Sequence, residues 1–493
     1  MTEQKKLKQR VRARMAATGE SWTTARRQVL AHAEPSADRV LPPGLVPGYR
    51  TFGPRQHRES GLLAHVLAAQ GVRAPHTDAP YTEAMLAGLG GGVGFMYAVF
   101  EYRDLPPLLT IVAQHHPQPW VPAALDRLGL PYVEEHSSKA GPAIDRLRTA
   151  LGGGRPVFAT VDRSRLPWHG LEPGPGNDPY PVVVAGVDGD VLHLDDEGPH
   201  PRPLPVQAFA AAWSAHRKGR HQAVTVTATR QRTDLPTAIR DAVATTVAHL
   251  TGPVLHTSFD TNFGFSGMAK LAHQLRDTRT RTGWARRFGA PVPFFHGVRR
   301  LYECLEVEYT APGATRPVYA DFLDEAAPLV GDRLTEAAAL FRHSGEQWSR
   351  LAALALDTVQ GLGAYTEVAE QRMALVFSRG RDAEAEIREL TRRLAELAEE
   401  FTAEDQLGAV GRQELFAAMA DLVESCLESE RHAVTALAGR TTGGSPADRP
   451  ASTGDDLSRL TDIDHAPGLS NLRDTRDTAL RGRAVEIGVT CVT

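Results

Sequence analysis

The spacing of apolar residues changes character near residue 230. Before that point, short valine-rich runs bounded by Gly, Pro and Asp predict β-strands: RPVFATVD, YPVVVAGVD, DVLHLDD and QAVTVTATR. Two helices are predicted ahead of them, one from about Ser60 and one over YTEAMLAGL. Helices first and clustered strands later favour an α+β fold over a wound parallel sheet.

After Asp234 almost every apolar pattern has helical spacing. The run LPTAIRDAVATTVAHLTG starts with a proline in its first turn and stops at a glycine, which are signals for the two ends of a helix. Further helices are predicted over GFSGMAKLAHQL, RPVYADFLDEAAPLV, LTEAAALFRHSGEQWSRLAALAL and AEAEIRELTRRLAELAEEF. Apolar residues in the last segment alternate at three- and four-residue spacing, which predicts packing within a helical bundle or across a dimer.

These patterns divide the chain into four parts: a basic arm and linker over residues 1–48, an α+β domain over 49–230, a helical domain over 231–438 and a tail over 439–493. The arm is interpreted either as a contact for nucleic acid or an acidic partner, or as an amphipathic helix docked on the protein. The tail is poor in large apolar groups, which predicts disorder. Its last segment, AVEIGVTCVT, is either a frayed terminus or a peptide substrate carried by the chain.

Composition narrows the class of protein. The chain has 493 residues and a formal net charge of -4, which argues against nucleic-acid binding by the protein as a whole. No apolar run reaches the ~20 residues of a membrane helix, and no secretory signal is evident, so a cytoplasmic protein without membrane contact is expected. The three cysteines are far apart and the histidines lack metal-binding spacing, so no metal and no other cofactor is expected.

Residues 57–60, HRES, lie where a loop enters the first predicted helix. A papain-like cysteine hydrolase or acyltransferase places its nucleophile at such a helix start, where the helix dipole stabilises a thiolate. A histidine at the start of a later strand takes the proton, and a carboxylate or amide on the next strand orients it. The strands YPVVVAGVD and DVLHLDD supply these two elements in the required order.

Several stretches resemble the amino-terminal family of butirosin biosynthesis protein H (BtrH). They are His57 with the YTEAM and GLGGGVGFMY segments that follow it, then GRPVFATVDRSRLPW and PVVVAGVDGDVLHLDDEG. NFGFSGMAKLAHQL and RPVYADFLDEAA resemble the helical domain that commonly follows. The resemblance covers roughly residues 50–355. It implies a papain-like fold and an acyltransferase that moves an aminoacyl group from a carrier-protein thioester to an amine.

The reactive residues of that family are replaced here. Its cysteine falls on Arg58 and its histidine on or beside Tyr180, whereas Asp195 or Asp196 fills the carboxylate position. An arginine stays protonated and cannot act as a nucleophile. A phenol, with a pKa of roughly 10, is a poor general base. A covalent acyl-enzyme at position 58 is therefore excluded.

Neighbouring side chains are candidates for chemistry. His57 and Ser60 form an improvised dyad if they face one another, although Ser60 equally suits a helix N-cap. Arg58 either pairs with Glu59, Glu83 or Asp195, or binds an anion such as a carboxylate or phosphate. The residues assigned to catalysis are His57, Arg58, Glu59, Ser60, Tyr180, Asp195 and Asp196.

The glycine-rich segment is the most specific part of the resemblance. GLGGGVG lacks the GxGxxG spacing and the following Lys-Ser/Thr of a P-loop, so it is interpreted as a tight turn that lets a helix and a strand approach. Because the resemblance includes this turn, it is also predicted to line a ligand cleft. The residues assigned to binding are Glu83, Gly90, Gly91, Gly92, Phe95 and Tyr97.

The resemblance and the replaced residues leave two alternative functions. In the first, a BtrH-like protein of natural-product biosynthesis transfers an acyl or aminoacyl group from a carrier thioester to an amine by proximity, with Asp195, Asp196 or His57 as proton acceptor. In the second, a catalytically inactive papain-like scaffold binds a peptide, carrier protein or small molecule for a partner enzyme. The expected partners are an acyl-carrier protein or peptide and a small-molecule amine acceptor, with a homodimer contact through the helical domain.

Overall fold

The computed structural model describes Val29 and residues 41–438, apart from residues 104, 172–178, 218, 309–310, 360, 404 and 406. Almost all of the basic arm, the whole C-terminal tail and its AVEIGVTCVT segment lie outside the described residues. Within the described part, no helix has the length and apolar character that crossing a membrane requires.

The first half of the described chain mixes helices and strands. Its helices are α1 (Arg58–Ala69), α2 (Glu83–Leu89), α3 (Trp120–Leu128), α4 (Ala140–Gly152) and α5 (Val206–Ala215). Its strands are β1 (Arg73–Ala74), β2 (Ala79–Pro80), β3 (Val93–Phe100), β4 (Leu108–Gln114), β5 (Tyr132–Glu135), β6 (Val157–Asp162), β7 (Pro179–Asp188), β8 (Val191–Asp195), β9 (Arg202–Pro205) and β10 (Ala223–Val226).

The second half of the described chain is helical, which confirms the α+β class. Its helices are α6 (Leu235–Thr251), α7 (Gly264–Arg276), α8 (Trp284–Arg287), α9 (Pro291–Glu306), α10 (Arg316–Val330), α11 (Arg333–Thr358), α12 (Leu362–Ser378), α13 (Glu384–Ala403) and α14 (Gly408–Ala438). The long helix α14 packs against α11 and α7, and α10 packs against both α11 and α2. Helix α10 therefore joins the helical half to the first half.

An antiparallel sheet forms the centre of the first half, with strand order β5-β10-β6-β7-β8-β9. Val182, Val183 and Val184 of β7 are fully buried, because helices and neighbouring strands enclose this strand. Since β7 and β8 are antiparallel neighbours, the start of β7 and the end of β8 lie at the same end of the sheet. Tyr180 and Asp195 therefore lie at the same end of the sheet, as the papain-like arrangement predicts.

The glycine-rich turn leads into a hairpin, β3–β4, that sequence patterns did not predict. This hairpin packs against α7 and α9 of the helical half. Phe95 stacks on Trp348 with ring centres 5.4 Å apart. The Tyr97 hydroxyl donates to Gln274 (2.7 Å) and accepts from Trp284 (3.0 Å). Phe95 and Tyr97, assigned to ligand binding, thus lie in the core between hairpin and helices, and this placement gives them a packing role.

The leucine-rich seam of α13 packs inside the chain. Ile387 and Phe401 are buried, and Leu394 and Leu397 lie partly buried against the core of the helical half. This is the bundle packing that was one of the two alternatives for the segment. A homodimer contact through the helical half stays a prediction.

A fully buried ion pair lies where the hairpin meets the helices. The Arg316 guanidinium donates from Nε and Nη2 to the two carboxylate oxygens of Glu430, each at 2.8 Å. Its Nη1 donates to the carbonyl of Ala113 on β4 (2.7 Å). Ser344 and Trp348 of α11 also donate to Glu430, at 2.6 and 3.1 Å. The pair therefore ties β4, α10, α11 and α14 together.

Replacing Glu430 by leucine leaves the Arg316 charge buried without a counter-charge. We expect Glu430→Leu to lower the free energy of unfolding by about 3–5 kcal/mol, measured by urea denaturation. The double variant Arg316→Met with Glu430→Leu should recover most of that loss, because an apolar pair carries no desolvation penalty. Asp321→Asn, which removes a solvent-accessible partner of Arg342, should cost less than about 1 kcal/mol and serves as control. A loss of that smaller size for Glu430→Leu would contradict the role given to the pair.

Candidate functional site

The first turn of α1 is capped by His57, and the prediction that Ser60 is the N-cap was wrong. The backbone N–H of Ser60 donates to His57 Nδ1 (3.3 Å), so Nδ1 is an acceptor and the ring proton sits on Nε2. Nε2 then donates to the side-chain oxygen of Gln114 (2.6 Å). The Ser60 hydroxyl lies 2.8 Å from Nδ1, so the two side chains of the suggested dyad do face one another.

This dyad is shut off from solvent. His57 and Ser60 are both buried, and Trp120 lies against the imidazole with ring centres 5.1 Å apart. Burial lowers the pKa of His57 to about 4, with the Gln114 hydrogen bond opposing the shift. His57 is therefore a weak base that a substrate cannot reach in this conformation.

Arg58 meets Tyr180, as the family mapping predicts. Its guanidinium carbon lies 4.2 Å from the centre of the Tyr180 ring, a cation–π contact. Its Nη1 donates to the backbone carbonyl of Asp196 (3.2 Å), and Nη2 lies 3.3 Å from a carboxylate oxygen of Glu197. The two side chains of this ion pair are only 16% and 8% exposed. We call Arg58, Tyr180, Asp195, Asp196 and Glu197 the Arg58 site.

The carboxylate of Asp195 orients His65 of α1. In the papain-like arrangement the oriented histidine would stand at position 180, which is a tyrosine here. Its Oδ2 accepts from the Tyr49 hydroxyl (2.7 Å) and from His65 Nδ1 (2.8 Å), and its Oδ1 accepts from the backbone N–H of Glu197 (2.9 Å). The Arg55 guanidinium in turn donates to His65 Nε2 (3.3 Å). The charge of Asp195, together with burial, raises the pKa of Tyr49 well above its usual value. Asp195 is thus committed to a buried network.

Asp196 and Tyr180 offer no accessible base either. Asp196 accepts from the backbone N–H of Gly198 (3.1 Å) and lies 3.6 Å from Arg202 Nε. Burial raises the pKa of Asp196, with the Arg202 charge opposing the shift. Burial also raises the pKa of Tyr180 above its usual value, with the Arg58 charge opposing it. Both side chains are buried.

Two glutamates near the first turn of α1, Glu59 and Glu83, differ from these buried groups. Glu59 and Glu83 are half-buried, and burial raises the pKa of each to about 7. The Arg58 charge opposes the shift at Glu59, and the backbone N–H of His57, which donates to Glu83 (2.5 Å), opposes it at Glu83. The site therefore carries two carboxyl groups that titrate near neutral pH.

The glycine-rich turn is buried against three aromatic side chains. A side chain at any of residues 90–92 would collide with Trp120, His115 or Tyr319. Gly91 and Gly92 also have positive φ angles of 127° and 66°, which disfavour other residues. These observations support the interpretation as a close-packed turn, and lining of a ligand cleft stays a prediction.

The helical half covers one side of the Arg58 site. Arg372 of α12 donates to the backbone carbonyl of His169 (2.9 Å), whose ring lies 4.9 Å from that of Tyr180. Arg202 donates to the carbonyl of Val376 in α12 (2.9 Å). Helix α12 therefore contacts two residues that border the Arg58 site, His169 and Arg202. Among the described residues, no cluster of three or more His, Cys, Asp or Glu is placed to hold a metal ion.

A helix start, a neighbouring strand start and the end of the next strand converge here, which is the arrangement of a papain-like site. Residues 57–197 match the family model of "Butirosin biosynthesis protein H, N-terminal", and residues 208–376 match "Domain of unknown function (DUF4872)". The chain thus carries a domain of the butirosin biosynthesis protein H amino-terminal family followed by its helical companion, as the sequence resemblance indicated.

Other comparisons add little. A crystal structure from Bacillus anthracis described as a C39-like peptidase is 16% identical, with 38% of this chain and 98% of that chain covered. Its TM-score of 0.28 is too low to bear on fold or function. No curated protein matches the chain.

Sequence reasoning missed Glu197, His65 and Tyr49. Glu197 carried a weak signal, because it directly follows Asp195 and Asp196 in the same acidic run. His65 lies seven residues after Arg58, two helical turns along one face of α1. Tyr49 gave no signal, because its contact with Asp195 spans 146 residues.

The raised pKa of Glu83 predicts a pH-dependent effect of Glu83→Gln. Between pH 4.5 and about 7 the folded protein holds a proton on Glu83 that the unfolded chain has lost, so this group costs stability as pH rises through that window. Glutamine keeps the acceptor for His57 and removes the charge. Relative to wild type, the free energy of unfolding of Glu83→Gln should therefore rise by on the order of 1–2 kcal/mol from pH 5 to pH 8. Glu336→Gln, at an exposed position on α11, should show no such trend. If the free energy of unfolding depended on pH in the same way for wild type and Glu83→Gln, the raised pKa of Glu83 would be refuted.

Proposed function

We propose that this protein is a catalytically inactive papain-like scaffold of natural-product biosynthesis, acting in the cytoplasm. In this role it binds a peptide, a carrier protein or a small molecule for a partner enzyme. The observation that carries the proposal is the state of Arg58. It occupies the nucleophile position and is held there by the Tyr180 ring and the Glu197 carboxylate.

The chemistry of the other side chains supports this proposal. Covalent acyl transfer needs a nucleophile with a base beside it, and Arg58 with Tyr180 supplies neither. Asp195 is occupied by Tyr49 and His65, and His57 is buried with a lowered pKa. A ligand that entered the Arg58 site would first have to break the Arg58 contacts to Tyr180 and Glu197.

One observation favours a second candidate, acyl or aminoacyl transfer by proximity from a carrier thioester to an amine. Glu59 and Glu83 have pKa values near 7, where a general base works best at neutral pH. Either carboxylate would accept the proton of an amine attacking a thioester held next to it. This replaces the proton acceptors expected from sequence, Asp195, Asp196 and His57, all of which are buried.

Incubation with an aminoacylated carrier protein and an amine acceptor separates the two functions. For the scaffold we expect no transfer above the rate of the carrier protein and amine alone, measured by mass spectrometry of the carrier arm. Transfer by the wild-type chain that is lost in Glu59→Gln or Glu83→Gln would instead establish the second function. The control Glu336→Gln should leave any transfer unchanged.

The geometry also predicts what restoring the family's residues would do. Arg58→Cys with Tyr180→His places a thiol at a helix N-terminus beside an imidazole, and both lower a thiol pKa. At pH 6 we expect iodoacetamide to alkylate this double variant about tenfold faster than Arg58→Cys alone. The background is Cys491→Ser, since Cys304 and Cys426 are buried. Equal rates would show that positions 58 and 180 do not cooperate.

A further inference from the structure

A groove of about 550 Å³ lies at the end of α1 remote from Arg58. Gly71 and Val72, just beyond α1, line it together with residues 229–236, which connect the two halves, and Leu329 near the end of α10. This volume lies within the range of small-molecule sites, which often occur where two domains meet. Helix α1 has 12 residues, so the groove and the Arg58 site are about 18 Å apart along its axis.

The walls of the groove are largely apolar, and its charges are one cation and one anion. Pro75, Pro236 and Leu329 supply the accessible apolar surface, since Val72 and Leu235 are buried in the core. Arg73 and Asp234 supply the two charges. Arg73 pairs with the Asp78 carboxylate and its Nε also donates to the Asp78 backbone carbonyl (2.7 Å), but the two side chains are 57% and 88% exposed. Because water can take over both contacts at so exposed a position, the guanidinium can exchange partners at low cost.

Asp234 keeps its charge and part of its hydrogen-bonding capacity. Its Oδ2 accepts from the backbone N–H of Thr237 (3.0 Å), which caps α6. Hydrogen bonds from Thr237 lower the pKa of Asp234, so it is ionised at neutral pH. A carboxylate has about four acceptor sites, so a ligand donor can be added without removing the cap.

Two further polar side chains of the groove, Gln231 and His76, are engaged within the protein. Gln231 accepts from the Tyr81 hydroxyl (2.5 Å) and donates to the carbonyl of Thr233 (2.8 Å). His76 Nε2 lies 3.0 Å from a carboxylate oxygen of Glu325. The groove therefore presents to a ligand chiefly an apolar surface, a guanidinium and a carboxylate.

We propose that this groove binds a small zwitterion with an apolar side chain, such as a free α-amino acid or a short peptide. The ligand carboxylate pairs with Arg73, the ligand ammonium pairs with Asp234, and the side chain packs against Pro75, Pro236 and Leu329. This site is separate from the Arg58 site, so it holds whether or not the latter is inactive.

Titration calorimetry of the full chain at low ionic strength tests the ligand class. L-Leucine and the dipeptide Leu-Leu are the two probes, and we expect at least one to bind saturably with a Kd of about 1 mM or lower. The tighter of the two identifies the source as free amino acid or peptide. N-acetylation or C-terminal amidation of the tighter probe should each weaken binding about fivefold, because each removes one charge. Absence of saturable binding for both probes, or equal affinity for the blocked forms, would overturn the proposal.

Matched variants test the location. Asp234→Asn removes the charge but keeps the helix cap, because asparagine caps as well as aspartate. Asp234→Asn and Arg73→Gln should each raise the Kd about fivefold. Arg148→Gln and Asp190→Asn, which break an exposed ion pair elsewhere, should leave the Kd unchanged. Binding that is insensitive to both groove variants would place the ligand elsewhere and refute the assignment.

Discussion

The buried pair between Arg316 and Glu430 links the core of the helical half to strand β4, which in turn contacts the first turn of α1. Arg316 donates to the carbonyl of Ala113, which holds β4 against the helical half. The next residue, Gln114, accepts the proton of His57, and His57 caps α1. Hydrogen bonds, joined by the peptide bond between Ala113 and Gln114, thus connect the core of the helices to the first turn of α1. Removing one partner of the buried pair costs about 3–5 kcal/mol, a large share of a typical domain's stability, so a variant that breaks the pair is expected to disturb β4 and, through it, this turn.

The replacements at positions 58 and 180 are stable because each compensates the other. A cation at a helix N-terminus costs a few tenths to about 1 kcal/mol against the helix dipole. The Tyr180 ring beneath Arg58 offsets about 0.5–2 kcal/mol, and the largely buried pairing with Glu197 adds a charge-assisted contact. The favourable terms exceed the unfavourable one, so Arg58, Tyr180 and Glu197 form a stable cluster at the first turn of α1.

Sequence patterns predicted those helices and strands whose own residues show regular apolar spacing and clear start or stop signals. Helix α10 spans the same residues as the predicted segment, β6 and β8 lie within the predicted strands, and β7 begins one residue before its predicted strand. These predictions sufficed to bring Arg58 and Tyr180 together. The β3–β4 hairpin was missed because it is buried on helices far along the chain, so its apolar residues follow neither a helical nor an alternating pattern. The cap at His57 was missed because histidine is not among the preferred N-cap residues, and Ser60 is. The partners of Asp195 depend on tertiary contacts that no local pattern records.

The two ends of α1 differ in what a ligand must displace. At the Arg58 end, binding requires breaking a cation–π contact and a largely buried ion pair, and any carboxylate or hydroxyl left unpaired there would cost about 1–3 kcal/mol more. At the other end, the charges of Arg73 and Asp78 are exposed to water, and releasing that ion pair costs at most about 1 kcal/mol. These costs favour ligand binding in the groove over binding at the Arg58 site, where Arg58 already contacts Tyr180 and Glu197.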